Sequence, residues 1–394
     1  MNIIFFDDNS WEGLLPLTFT RPVSELRIGI LSIYEKWKYY FTGINGNITK
    51  DYLRIKFNFI PGHDNLLING SILPDPELVD ALTKLMPSQL LQKNNKAIGI
   101  RLNKVQLAKF NPSSLQEYKS SEYPGLIDFI ERPWHIFLKN GKEIISDFNL
   151  ITSGRKSAGL SPTNNLISPE NIFAEEGVKA EYITINASGG PVYLGKNSEI
   201  MEGSVIRAPF ALCEGSVLKL SAKIYGHTTI GPYSKVGGEI NNCVIQGNSN
   251  KAHDGFLGNS VLGEWCNIGA DSNNSNLKNN YAEIKLWSYL EEKFIPTGLQ
   301  FCGLIMGDHS KCGINTMFNT GTVVGVNANI FGTGFPRNFI PSFSWGGAQG
   351  FTTYSIPKAF EVAKIVMERR NTKFDEKEMA IMNEIFKLTS IFRH

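Results

Sequence analysis

Aliphatic residues recur every six positions along the second half of this chain: Leu194, Ile200, Ile206, Leu212, Leu218, Ile224, Ile230 and Val236. A period of six is neither the 3.6 of a helix nor the 2 of a strand, and a repeat outranks local propensity in deciding architecture. Two positions before most rungs stands a small residue, Ser198, Ser204, Ser216, Ala222, Thr228 or Ser234, with Phe210 the exception. A large aliphatic and a small residue in each hexapeptide fit a triangular coil, in which one hexapeptide is a short strand plus a corner and three make a turn. The ladder breaks near Asn242, restarts through Phe256, Leu262 and Ile268, and returns as Met306, Cys312, Phe318, Val324 and Ile330. Stacked coils bury such rungs against one another. The Asn- and Ser-rich segment from Asp271 to about Gly298 reads as an excursion from the solenoid.

A chain of 394 residues with 42% hydrophobic and 19% charged residues has room for more than one globular domain. The formal charge of +2, without a basic run, gives no electrostatic reason to expect nucleic acid. The first residues, Met1 to Asp8, lack the features of a signal peptide, and no apolar stretch approaches membrane-spanning length, so a cytoplasmic location and no membrane partner are expected. Cys213, Cys243, Cys266, Cys302 and Cys312 are odd in number and never spaced C-x-x-C, which argues against a disulfide framework and a structural zinc site.

The domain reading is residues 1–150 as an α/β domain, 165–345 as the β-helix, and 355–394 as a helical tail. Strand-like runs at Asn2–Phe6 and Asn65–Ile68 alternate with helical stretches at Ile28–Tyr40 and Pro76–Leu85. In the tail, Pro357 opens one amphipathic segment and Asp375 caps a second.

The repeats, with Gly238-Glu239-Ile240-Asn241, Lys251-Ala252-His253-Asp254-Gly255-Phe256-Leu257-Gly258 and Asn267-Ile268-Gly269-Ala270, resemble the hexapeptide-repeat acyltransferases. More narrowly, they resemble the acetyltransferase half of the bifunctional N-acetylglucosamine-1-phosphate uridylyltransferase/glucosamine-1-phosphate N-acetyltransferases. The resemblance implies a left-handed parallel β-helix, where the general crossover preference is right-handed, and a homotrimer. It implies His253 as the base that deprotonates an amine, Glu239 as its partner, and a backbone N–H near Ala270 for the oxyanion of acetyl transfer. Histidine titrates in the range such a base needs, and backbone donors suit an oxyanion. Glu239 precedes His253 by fourteen positions and Asn267 follows it by fourteen. Arg207 and Asn267 match sugar-phosphate and sugar contacts, and Phe256 and Asn276 fall at substrate positions. Departures from the family are Asn241 for a lysine, Phe256 for an aromatic hydroxyl residue, and Leu277 after Asn276.

In the first domain, Leu14 to Val23 resembles the end of the nucleotide-binding signature of the sugar-1-phosphate nucleotidyltransferases, which makes Arg21 a nucleotide-binding candidate. Asn69 sits where those enzymes carry a metal-binding Asp, and Asp7-Asp8-Asn9-Ser10-Trp11-Glu12-Gly13 replaces their glycine-rich phosphate loop. If the domain is active, Asp7 or Asp8 must carry the Mg²⁺. With Pro296 to Phe301 and Gly332 to Pro336, the whole resembles a divergent bacterial branch of the bifunctional family. That implies acetyl-CoA and an amino-sugar phosphate as small-molecule partners, in nucleotide-sugar synthesis, with UTP added if uridylyl transfer also occurs. Two alternatives stay open: an acyltransferase acting on a nucleotide-linked amino sugar, and a non-catalytic nucleotide-sugar-binding regulator or scaffold.

Overall fold

The computed structural model describes residues 1–393; His394, the last residue of the expected tail, lies outside them. Contacts divide the chain into two units. The first comprises Met1–Leu14, Thr20–Leu26 and Leu31–Arg132, and the second Leu15–Phe19, Arg27–Ile30 and everything from Pro133 onward.

The first unit is α/β around a six-stranded mixed sheet. Strand Asn2–Phe6 runs parallel to Ile44–Ile48 on one side and to Asp64–Asn69 on the other, which in turn pairs antiparallel with Lys96–Asn103. Ile4, Phe6, Leu67, Ile100 and Leu102 form one face of its core. Helix Pro76–Thr83 starts where Asp75 accepts the Leu78 N–H, with Pro76 in the first turn, a position that needs no backbone donor. The helix expected over Ile28–Tyr40 is confined to Ile33–Trp37.

The second unit is a parallel β-helix of the left-handed, hexapeptide-repeat kind. Its three faces are sheets of six, nine and ten short strands, and every coil-to-coil pairing within them is parallel. The hexapeptide is legible in the backbone. Asn197, Gly203, Gly215, Ser221, His227 and Tyr233 are left-handed (φ 55° to 74°), each three residues before a rung. The next residue points into the corner, and Ser198, Ser204, Ser216, Ala222, Thr228 and Ser234 are all fully buried there. A hydroxyl at that position can satisfy the adjacent coil: Ser216 Oγ donates to Gly231 C=O at 2.8 Å and Ser204 Oγ to Lys219 C=O at 3.1 Å. Small size fits the corner and the hydroxyl answers a buried carbonyl. At the exception, Phe210, the corner runs through the cis Ala208–Pro209 peptide.

Three readings of the ladder are corrected. It does not break at Asn242: Ile240, Ile245, Leu257, Leu262 and Ile268 are all in the core, and the spacing merely shortens at tight corners. Phe256 is not a rung. Leu257 is buried in its place and Phe256 stands half-buried on the outside, because alternate residues of a strand face opposite ways. The excursion starts later than Asp271, since Asn273–Asn274 still pairs in parallel with Met317–Phe318. Asn274 takes a rung position, with its amide donating to Gly258 C=O at 3.0 Å and accepting Gly258 N–H at 2.9 Å. The loop then forms a hairpin, Lys285–Ser288 with Lys293–Pro296, whose Trp287 stacks on Phe339 at 4.2 Å.

Helix Pro133–Thr152 packs along the second face with Ile136, Phe137 and Ile144 buried. Buried Asn140 accepts the Gly29 N–H at 2.7 Å and the Thr229 hydroxyl at 3.1 Å and donates to His227 C=O at 2.8 Å. Two terminal helices follow the solenoid, Ile356–Glu368 and Glu376–Leu388, the second capped by the Asp375 carboxylate. Among the described residues no helix is long and apolar enough to cross a membrane.

Candidate active site

The edge where the third face turns into the first changes shape at one place. In ordinary coils two residues separate the rung from the left-handed residue that ends the turn, as in Leu218 to Ser221 and Ile268 to Asp271. Val236 to Gly238 has one residue between, whereas Lys251 to Gly255 has three. A corner of only four residues from rung to rung, Val236 to Ile240, therefore lies beneath a longer one of the ordinary six, Lys251 to Leu257, whose left-handed residue comes one place later; the longer corner carries His253. His253 and Asp254 are exposed in consequence, and Glu239, which follows the short corner, is half-buried on the outer side of its strand.

Gly238 is required where these corners meet. It adopts φ +74°, and a Cβ there would lie 2.7 Å from Gly255 O and 2.9 Å from both Asp254 Cα and His253 O, a conformation and a space suited to glycine. Glu239 pairs in register with Phe256, so both project from the first face in adjacent coils. Among the described residues no hydrogen bond or ion pair joins the His253 and Glu239 side chains. Ala270 occupies the equivalent corner one coil on, tied down by the Asp271 N–H donating to Asp254 C=O at 3.1 Å. The Ala270 N–H makes no hydrogen bond among the described residues.

The remaining solenoid candidates are more dispersed. Asn267 is exposed on the third face, paired with Asn250, whose amide approaches its Oδ1 at 3.4 Å. Asn250 in turn accepts from Arg370, after the first terminal helix, at 2.7 Å. Asn276 lies at the opposite edge of the first face, where its amide donates to Asn259 Oδ1 at 2.8 Å. The Phe256 ring and the Asn276 amide meet over Gly258, where a Cβ would touch both. Arg207 is exposed at that far edge too, two strands below Glu239 in the sheet.

Sequence reasoning passed over Lys251. It lies six residues after Ile245 and six before Leu257, which is rung phase, and is 1% exposed. Its Nζ donates to Gly237 C=O at 3.2 Å, to Asp254 C=O at 3.1 Å and to His253 C=O. Burial pushes its ammonium down to about 8. A charged residue in rung phase was the available signal.

In the first unit, Asp7 and Asp8 follow strand Asn2–Phe6, and Asn69 ends the neighbouring strand, so all three share one sheet edge. Asp7 is half-buried: its Oδ1 accepts the Val23 N–H at 3.0 Å and its Oδ2 the Thr49 hydroxyl at 2.6 Å. Burial outweighs these donors and pushes its carboxyl up to about 7. Asp8 accepts the Ser10 N–H and the Asn69 amide, each at 2.8 Å, and Asn69 Oδ1 accepts the Ser71 N–H at 3.0 Å and its hydroxyl at 2.8 Å. Arg21 is buried, with its Nε donating to Thr20 Oγ1 at 3.4 Å. A Mg²⁺ ion needs ionised carboxylate oxygens free to face it. Here each oxygen already takes one donor, and among the described residues no group of three or more His, Cys, Asp or Glu side chains gathers to hold a metal ion.

The model of the sugar nucleotidyl transferase family matches residues 3–156. A bifunctional sugar-1-phosphate nucleotidylyltransferase/acetyltransferase of Sulfurisphaera tokodaii is 24% identical over 216 residues, covering 54% of this chain and 47% of that protein. An uncharacterized acetyltransferase, YaiX, of Escherichia coli is 26% identical over 153 residues, 38% of this chain and 66% of its own length. A bifunctional protein GlmU of Methanocaldococcus jannaschii is 32% identical over 89 residues, 23% of this chain and 21% of that one. The chain thus spans about half of the first relative, just under two thirds of the second and about a fifth of the third.

Proposed function

We propose that this chain, which belongs to a divergent branch of the bifunctional sugar nucleotidyltransferase/acetyltransferase family, transfers the acetyl group of acetyl-CoA to the amine of an amino-sugar phosphate. The observation that carries the reading is the Lys251–Gly255 corner, with its left-handed residue displaced to Gly255, which exposes His253 on the edge that also bears Glu239 and the unengaged Ala270 N–H. His253 takes the proton that the amine loses as its nitrogen bonds to the thioester carbon. Donors at the corner meet the oxyanion, the carbon–sulfur bond breaks, and the thiolate leaves as CoA thiol with that proton. Glu239, on the same edge one coil away, offsets the charge the imidazole gains. Glucosamine-1-phosphate is the acceptor the resemblance names, with Arg207, Asn267, Phe256 and Asn276 assigned to it and Ala270 to acetyl-CoA. The same resemblance assigns the protein to nucleotide-sugar synthesis as a homotrimer in the cytoplasm.

The engaged Asp7, Asp8 and Asn69 favour a second reading of the acceptor. In it the acceptor is a nucleotide-linked amino sugar. Release of CoA thiol from acetyl-CoA across a panel of amino-sugar phosphates and nucleotide-linked amino sugars, with product masses, separates the two. Absence of thiol release with every acceptor, alongside nucleotide-sugar binding, would leave a binding protein and refute both.

A further inference from the structure

At the third-face position of successive coils the rungs are Ile200, Leu218, Val236, Lys251 and Ile268. An aliphatic residue would continue this ladder at no electrostatic cost, whereas an enclosed ammonium forfeits its hydration. The structure compensates with three carbonyls, those of Gly237, His253 and Asp254, and charge-assisted bonds of this kind are the stronger class. The first carbonyl belongs to the short corner and the other two to the long one. The ammonium therefore sits inside the solenoid, directly behind His253, and grips both corners of the site.

The peptide after His253 and the peptide after Asp254 are trans and planar, so each N–H points opposite to its C=O. Both carbonyls face inward to the ammonium, which sends the N–H groups of Asp254 and Gly255 outward beside the exposed imidazole. Neither N–H makes a hydrogen bond among the described residues. We infer that Lys251 is a positioning residue of this site, holding the His253 corner so that the Asp254 and Gly255 N–H groups face substrate as a paired donor for an anionic oxygen. The inference rests on the acetyl-transfer reading of His253. The anionic oxygen is either the oxyanion of the transfer or a phosphate oxygen of the acceptor.

The test uses the full chain with Lys251→Met, which restores an apolar rung, and Lys251→Gln, which keeps an uncharged NH₂ donor for the carbonyls. Three quantities are read: kcat and KM for acetyl transfer from acetyl-CoA to glucosamine-1-phosphate, the thermal midpoint, and deuterium uptake of the segment 252–256. Lys251→Met is expected to lower kcat/KM by about 10- to 100-fold, the scale of a small misplacement, with faster uptake across 252–256. Lys251→Gln is expected to recover part of the activity. A fall in kcat at constant KM assigns the donors to the oxyanion, and a rise in KM for the sugar phosphate at constant kcat assigns them to phosphate. Wild-type kcat and KM in Lys251→Met would overturn the inference while leaving the role of His253 standing. If the wild-type chain transfers no acetyl group, the reading of the site fails instead, and unchanged uptake across 252–256 in Lys251→Met then overturns the positioning claim on its own. Should the Met variant not fold, Lys251→Gln with wild-type kinetics and uptake overturns it equally.

Discussion

The backbone N–H of Glu239 donates to the C=O of Gly255 at 3.2 Å. That bond locks the strand bearing the carboxylate to the end of the corner bearing His253, so the two side chains are held on one edge by the main chain, independently of each other. A substitution at either side chain should therefore alter chemistry without disturbing the coil.

His253→Ala is expected to lower acetyl transfer by about two to four orders of magnitude, the usual contribution of a placed general base. Glu239→Gln should cost less, since it offsets charge and moves no proton. Thiol release measured beside a thermal melt decides the matter: full activity in both variants at a wild-type midpoint would remove the assigned mechanism.

Gly238→Ala places a methyl group within 2.7 Å of Gly255 O at a positive φ. Destabilisation of about 1–3 kcal/mol is expected from the strained backbone and the collision, together with reduced acetyl transfer, because the atoms displaced belong to the His253 corner. Urea unfolding and the thiol assay on one preparation would show both effects, and an unperturbed variant would mean that the corners are not in contact.

Asp7 provides a pH signature for the first unit. In the fold its carboxyl holds a proton up to about 7, whereas the ordinary value is 3.8. Between those values the folded state binds more protons than the unfolded one, so this group makes stability fall as pH rises. Asp7→Asn keeps an acceptor for Val23 and a polar partner for Thr49, and should flatten that slope and raise stability at pH 8. Urea unfolding at pH 5 and pH 8 tests the sign. Little or no pyrophosphate release from UTP with N-acetylglucosamine-1-phosphate is expected from the same protein. Robust Mg²⁺-dependent release that is lost in Asp7→Asn would show that this carboxylate does hold the metal.

The expected homotrimer has a simple measurement. Light scattering at micromolar concentration should give three times the chain mass of 43.9 kDa, and a monomer would count against the homotrimer that the resemblance implies.

Much of the solenoid was legible in the one-dimensional pattern, because its contacts are between residues at nearly constant sequence offset. Ile200 meets Leu218, and Leu218 meets Val236, so a period in the sequence is a period in space, and Ser198, Ser204 and Ser216 could be assigned to corners before any coordinate was known. Strand Asn2–Phe6 and the Asp375 cap were readable for the same reason, being local. Where the offset changes, the period stops informing. The steps shorten at Val236–Ile240, Ile240–Ile245 and Leu257–Leu262, and a strict count of six back from Leu262 put Phe256 in the core where Leu257 belongs. Helix Pro133–Thr152 escaped notice because its buried Asn140 answers Gly29, His227 and Thr229, partners about ninety or more positions away. His253 and Glu239 could be singled out by residue type and motif, yet a fourteen-residue spacing holds no information about which side of a coil either faces. Only the folded chain decided that. The lengths of two stacked corners and an ammonium buried between them are relations across coils, and carbonyl direction is a property of the backbone path that residue identity alone does not encode.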